Sequence, residues 1–140
     1  QHAFFGEKDW QQLAVIEALN RDLNMDVQIH RVPLMREPDG LAMSSRNNNL
    51  SPEERLKALC LSKSLKFARQ KIKQGVISST QLRQSIKNII SAEHGIQIDY
   101  ISICDPISLE EKQEVKGRTL IALAVKIGPA RLIDNCIIGD

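Results

Sequence analysis

The stretch "TLIALAVKI" (119–127) is apolar at almost every position, so an extended segment there has two water-avoiding faces. That places it at the centre of a sheet. Gly128-Pro129 follows, and then "RLIDNCII" (131–138), a second run rich in β-branched residues. So short a connection between two strand signals predicts a tight antiparallel hairpin. "QIDYISIC" (97–104) gives a third strand. Upstream, Ser51-Pro52-Glu53-Glu54 opens a helix with three agreeing signals: Ser51 can cap, Pro52 suits the first helical position, and Glu54 completes a capping box. Ala58, Leu61, Leu65, Ala68 and Ile72 then recur at three- and four-residue spacing as a core face, and Gly75 ends the helix. Ser78-x-x-Gln81 caps a further helix, with Leu82, Ile86, Ile89 and Glu93 on one stripe and Gly95 closing it. Residues 51–140 therefore predict an α+β unit, two main helices against a sheet of about three strands.

The first fifty residues follow another pattern. "FFGEKDWQQLAVIEALNRDL" (4–23) reads as a helix beginning at Gly6 or Glu7, with Trp10, Leu13, Ala14, Ile16, Leu19 and Leu23 on a wide apolar arc. "VQIHRVPL" (27–34) reads as a strand, held to an edge or an end by Pro33. Such a pair is the last piece of an α/β layer whose other strands lie outside this chain. The start at Gln1, without an initiator Met, fits a boundary inside a longer protein. "REPDGLAMSSRNNN" (36–49) is a long connection turned by Pro38-Asp39-Gly40, and a domain boundary is expected between Ser45 and Ser51.

Charge narrows the choice of partner. Residues 51–90 hold nine basic and two acidic side chains, while the flanking segments are mildly acidic. A solvated helix face accounts for this block, and a phosphate-facing surface is the sharper alternative. Aromatics are only 4% of the chain, without aromatic–Gly patterning, so nucleic acid is not expected as a partner. No run approaches the ~18 apolar residues that a membrane helix needs. Cys60, Cys104 and Cys136 are odd in number and widely spaced, which suits reduced, buried thiols rather than a disulfide frame or a zinc site. His30 is assigned to the core with them.

Two clusters could carry chemistry. Lys8, Asp9 and Gln12 crowd one side of a helix N-terminus, where the dipole and free N–H groups favour an anion. The plainer reading has Glu7 and Asp9 complementing the dipole and Lys8 facing water. Ser44-Ser45-Arg46 offers two hydroxyls and a guanidinium able to wrap phosphate oxygens; alone, such a triplet is usually just a polar loop. Arg36 and Glu37 are expected to pair structurally.

Taken together, "FFGEKDWQQLAVI", "VPLMREPDGLAMSSRNNNLSPEER" and the closing "RLIDN" resemble the pantothenate synthetase (pantoate–β-alanine ligase) family, in its order and spacing, over roughly the C-terminal half of its usual length. The resemblance implies an α/β fragment, the end of a Rossmann-like nucleotidyltransferase domain, followed by the α+β domain. It divides the chain at 1–46, which includes the phosphate-binding loop, and 47–140, a lid. It further implies a cytoplasmic homodimer, with ATP as a substrate and Mg2+ whose ligands lie in the other half. Pantoate would be activated as pantoyl adenylate, and β-alanine would then displace AMP. Carried over by position, Gly6, Lys8, Asp9, Met35, Met43, Ser44, Ser45 and Arg46 would bind ATP, and Gln12 would grip pantoate. Lys8 and Arg46 would be the catalytic cations. Leu34-Met35 and Asn49 depart from the family's usual residues. Because the histidine signature of the N-terminal half is absent, the chain alone is expected to be inactive. An isolated interaction or dimerisation domain is the alternative.

Overall fold

The computed structural model describes residues 1–139. The chain opens on a strand rather than a helix: β1 (His2–Gly6) lies parallel to β2 (Gln28–Val32), in register from His2↔Gln28 to Gly6↔Val32. Helix α1 (Trp10–Asp22) connects them. The expected helical start at Gly6 or Glu7 thus gives way to the end of a strand and a turn, and the helix begins at Trp10. The reason is non-local, because β2 takes up the β1 backbone groups and its Val32 carbonyl accepts the Glu7 N–H at 2.8 Å. It also gives β2 a neighbour within this chain. β2 stops before Pro33, which has no N–H to donate.

Only the first turns of α1 are covered. Trp10, Leu13 and Ala14 are buried, whereas Val15, Leu19 and Leu23 are exposed. A 13-residue helix is about 20 Å long, and two strands present only about 10 Å of sheet, so the predicted arc is covered only in part. His30 is likewise not a core residue. It lies half-buried on the β1–β2 sheet, stacked on Phe4 and with Nε2 2.8 Å from His2 Nδ1.

Beyond the connection, α2 (Pro52–Ala58) begins with the full reciprocal capping box of Ser51 and Glu54. α3 (Cys60–Lys73) follows after Leu59, whose N–H reaches the Leu56 carbonyl three residues back, a local tightening that divides the one predicted helix in two. α4 (Ser79–Ser91) is capped by Ser78, and its buried apolar residues are Leu82, Ile86 and Ile90, the last in place of the predicted Ile89. The three remaining strands, β3 (Ile96–Cys104), β4 (Thr119–Ile127) and β5 (Ala130–Ile138), form an antiparallel sheet in that spatial order. β4 is central, as its two apolar faces require.

Those two faces meet different partners. Ile121, Leu123, Val125 and Ile127 join Leu61, Leu65, Leu82, Ile86 and Ile90 in the larger core under α3 and α4. Leu120 points the other way, into a smaller cluster with Trp10, Ala14 and Cys104. Alternation along a strand produces this split, and it is how α1 comes to rest on the second sheet. The Trp10 indole N–H fixes the contact by donating to the Pro106 carbonyl at 2.8 Å. The architecture is an α/β fragment followed by an α+β domain. All three cysteines are free and buried, and among the described residues no helix is long and apolar enough to cross a membrane.

Candidate functional site

Gly6 ends β1, and residues 7–9 turn the chain into α1. Asp9 is the N-cap, its Oδ1 accepting the Gln12 N–H at 3.2 Å. Lys8 sits half-buried just ahead of it. Burial, followed by the positive charge of Arg46, holds the Lys8 ammonium pKa below the usual lysine value, while the carboxylates of Asp134 and Asp9 oppose that shift. Arg46, far away in sequence, is thus among the charges that bear on Lys8. Gln12 is exposed, as are Ser45 and Arg46.

The 36–49 connection is a built structure rather than a slack loop. The Met43 N–H donates to the Met35 carbonyl at 2.9 Å, which sets these two exposed methionines side by side. The Gly40 N–H reaches Glu37 O, closing the expected Pro38-Asp39 turn, and Leu41 enters the larger core. Ser44 Oγ accepts the Arg46 N–H at the start of a 3-10 turn, Ser45–Asn49. Asn47 is buried there, with Nδ2 donating to Glu37 Oε1 at 2.6 Å and to the Ala42 carbonyl at 3.1 Å.

Arg36 and Glu37 do not pair with each other. Arg36 donates through both terminal nitrogens to the Asp134 carboxylate, at 2.8 and 2.9 Å, and to Gly40 O at 3.0 Å. Glu37 instead accepts from Arg55, which also holds Asp39. Adjacent residues in extended chain face opposite ways, and the longer reach across the fold wins over the neighbouring charge.

Asp134 and Asn135 are functional candidates that local sequence patterns leave without a role. They sit in β5, within the closing "RLIDN", yet grip segments about a hundred positions earlier. Nδ2 of Asn135 donates to the carbonyls of both Glu7 and Lys8, at 2.8 Å each. Nothing in their local spacing signals this. A cavity of about 220 Å3 opens alongside, lined by Lys8, Asp9, Trp10, Tyr100, Asp134 and Asn135 among others. Among the described residues no group of three or more His, Cys, Asp or Glu is placed to hold a metal ion.

Residues 1–137 match the family described as pantoate-beta-alanine ligase. The chain is 51% identical over 138 residues to a pantothenate synthetase of Geobacter sulfurreducens, covering 99% of this chain and 49% of that protein. It is 52% identical over 136 residues to one from Acetivibrio thermocellus, covering 97% of this chain and 48% of that protein. The chain thus spans about half the length of the curated relatives it matches. Among solved structures, pantothenate synthetase from Thermus thermophilus superposes with a TM-score of 0.92 at 38% identity, covering 97% of this chain and 49% of that one. Pantoate-beta-alanine ligase from Francisella tularensis, complexed with beta-gamma ATP and beta-alanine, gives 0.64 at 29% identity, covering 97% and 43%.

Proposed function

This chain belongs to the pantoate-beta-alanine ligase family, and from that premise we propose that it forms part of an ATP-dependent ligase joining pantoate to β-alanine. The pantoate carboxylate attacks the α-phosphorus of ATP, the bond to pyrophosphate breaks, and pantoyl adenylate forms. The β-alanine amine then attacks the acyl carbon and AMP leaves. In this reading residues 1–46 complete the nucleotide-binding domain and residues 47–140 act as a lid. The parent protein is a cytoplasmic homodimer, a point that rests on the resemblance alone.

Lys8 and Arg46 would neutralise the charge that grows on departing pyrophosphate, the electrostatic help such transfers depend on. Ser44 and Ser45 would line the phosphates. Asp9 would accept from the ribose, Gln12 would hold pantoate, and Met35 and Met43 would wall the base. The observation that carries the reading is the half-buried Lys8, just ahead of the Asp9 N-cap of α1 and lining a cavity of about 220 Å3. An ammonium beside a helix N-terminus suits an anion. Gly6 adds support. It is exposed, its φ lies outside the left-handed region, and a Cβ there would meet nothing within 4 Å. The fold does not demand glycine at this position, whereas close approach by a ribose does.

The test is AMP formation from ATP, pantoate and β-alanine. The 140-residue chain alone should give none, and mixing it with the N-terminal half of a curated relative should restore turnover. Lys8→Ala and Arg46→Ala in that mixture should each lower kcat about 100-fold. Robust turnover by the chain alone, or full activity in both variants, overturns the reading. A second reading, a self-association module, draws on the exposed Val15, Leu19 and Leu23 of α1 and its C-cap. A monomer at every concentration on size-exclusion chromatography removes it.

A further inference from the structure

We propose that Asp134 and Asn135 are positioning residues, a two-residue clasp on β5 that fixes the separation between Lys8 and the Arg46 loop. The inference rests on the ligase reading only for its kinetic consequence.

The Arg46 charge acts against that of Lys8, and among the described residues neither is joined to a carboxylate in an ion pair. What holds their segments in place is therefore other contacts. The segments that carry them, residues 7–9 and 36–46, meet β5 through two consecutive side chains. Asn135 has two N–H donors on one nitrogen, and both are used, on the consecutive carbonyls of Glu7 and Lys8 at 2.8 Å. Asp134 has two carboxylate oxygens, and both are used on Arg36, which stands at the base of the 36–49 connection. Asp134 is 2% exposed and Asn135 7%, so water does not compete for these bonds. Because successive strand residues project to opposite faces, one stretch of β5 can hold two different segments at once. A one-residue slip of the strand would turn both side chains to the opposite face and lose both grips.

Asp134 does a second thing. The charged groups acting on Lys8 come from three places: Arg46 in the connection, Asp9 at the helix cap, and Asp134 in β5. Asp134 thus helps keep the ammonium protonated against burial and against Arg46, while anchoring the segment that brings Arg46 near. Asn135 carries no charge and only ties the backbone. The two residues therefore make opposite predictions for the same observable.

The experiment follows the Lys8 side chain by NMR in the 140-residue chain labelled at lysine, through a pH titration, with Asp134→Asn and Asn135→Ala beside the parent. Asp134→Asn removes a favourable carboxylate, so the Lys8 pKa should fall further. Asn135→Ala releases residues 7–9 from β5, rehydrates the ammonium and moves it from Arg46, so the pKa should rise toward the ordinary lysine value. Shifts of opposite sign support the clasp. Shifts of the same sign, or an unmoved Lys8, overturn it. Should Asp134→Asn fail to fold, Asn135→Ala carries the test alone, and an unmoved titration is again fatal. In the reconstituted ligase, Asp134→Asn should move the alkaline limb of the kcat/KM profile to lower pH, and Asn135→Ala should lower kcat about 100-fold through misplacement. The NMR result needs no substrate, so it stands or falls apart from the ligase reading.

Discussion

Gly128 is confined to glycine on two independent grounds. Its φ is +51°, in the left-handed region, and a Cβ built there would come within 2.0 Å of Glu54 Oε1. Pro129, whose ring locks a negative φ, follows it, and that order of signs is the one a type II′ hairpin turn needs. Glu54 is itself committed to the Ser51 capping box. Gly128→Ala should therefore destabilise the chain by about 1–2 kcal/mol from backbone strain, with more if the cap is displaced. Thermal unfolding measures it, and an unchanged Tm would show that the turn relaxes freely. Cys60 supplies a second residue-scale expectation. Burial pushes its thiol pKa up to about 12, so alkylation of the native protein should be far slower than of the unfolded chain at the same pH. Equal rates would mean that the thiol is reached without unfolding.

The element whose behaviour depends most on charge is the 36–49 connection. Glu37 is held below the ordinary carboxyl range first by the Asn47 amide and then by Arg55, and Asp39 first by the Leu41 N–H. A lowered carboxyl pKa stabilises the fold above the unfolded-state value and loses that contribution as pH falls through the folded one. The connection should thus stay fastened down to about pH 4, the ordinary carboxyl value, and loosen below it. Amide exchange at Leu41 and Asn47 reads this directly. Protection that persists after both carboxyls are protonated would mean that Leu41 burial alone holds the loop. Helix starts follow a local logic of the same kind. The capping box at Ser51 was legible because its partners are three residues apart, while β1 was not, because its pairing partner begins only at Gln28.

At the scale of the whole molecule, the largest side chain in the contact between α1 and the second sheet is an indole. Trp10, the only tryptophan, is 4% exposed, packs with Ala14, Cys104 and Leu120, and donates to Pro106 O. Trp10→Ala should cost about 3–5 kcal/mol. Trp10→Phe keeps most of the apolar volume and leaves the Pro106 carbonyl unpaired, at about 1–3 kcal/mol. Denaturant unfolding followed by far-UV circular dichroism gives both values; equal losses would mean that the hydrogen bond, not the packing, dominates. Lys8 and Asp9 are neighbours in the chain, but where they sit relative to the 36–49 connection depends on how Asp134 and Asn135 of β5 hold the two segments.

The sequence by itself determined what is encoded within a turn or a strand's length: the double-sided apolar run of β4, the Gly128-Pro129 hairpin, the helix caps at Ser51 and Ser78, the core stripe of α3, and Leu82 and Ile86 of α4. Tertiary structure decided the rest. It assigned Phe4 and Phe5 to a strand, left Leu19 and Leu23 in water, and gave Asp134 and Asn135 partners 98 to 128 positions away. The physical reason is that periodicity and capping are short-range properties of the backbone. Which carbonyl an amide meets, and which charge a carboxylate faces, depends on where the whole chain has already closed.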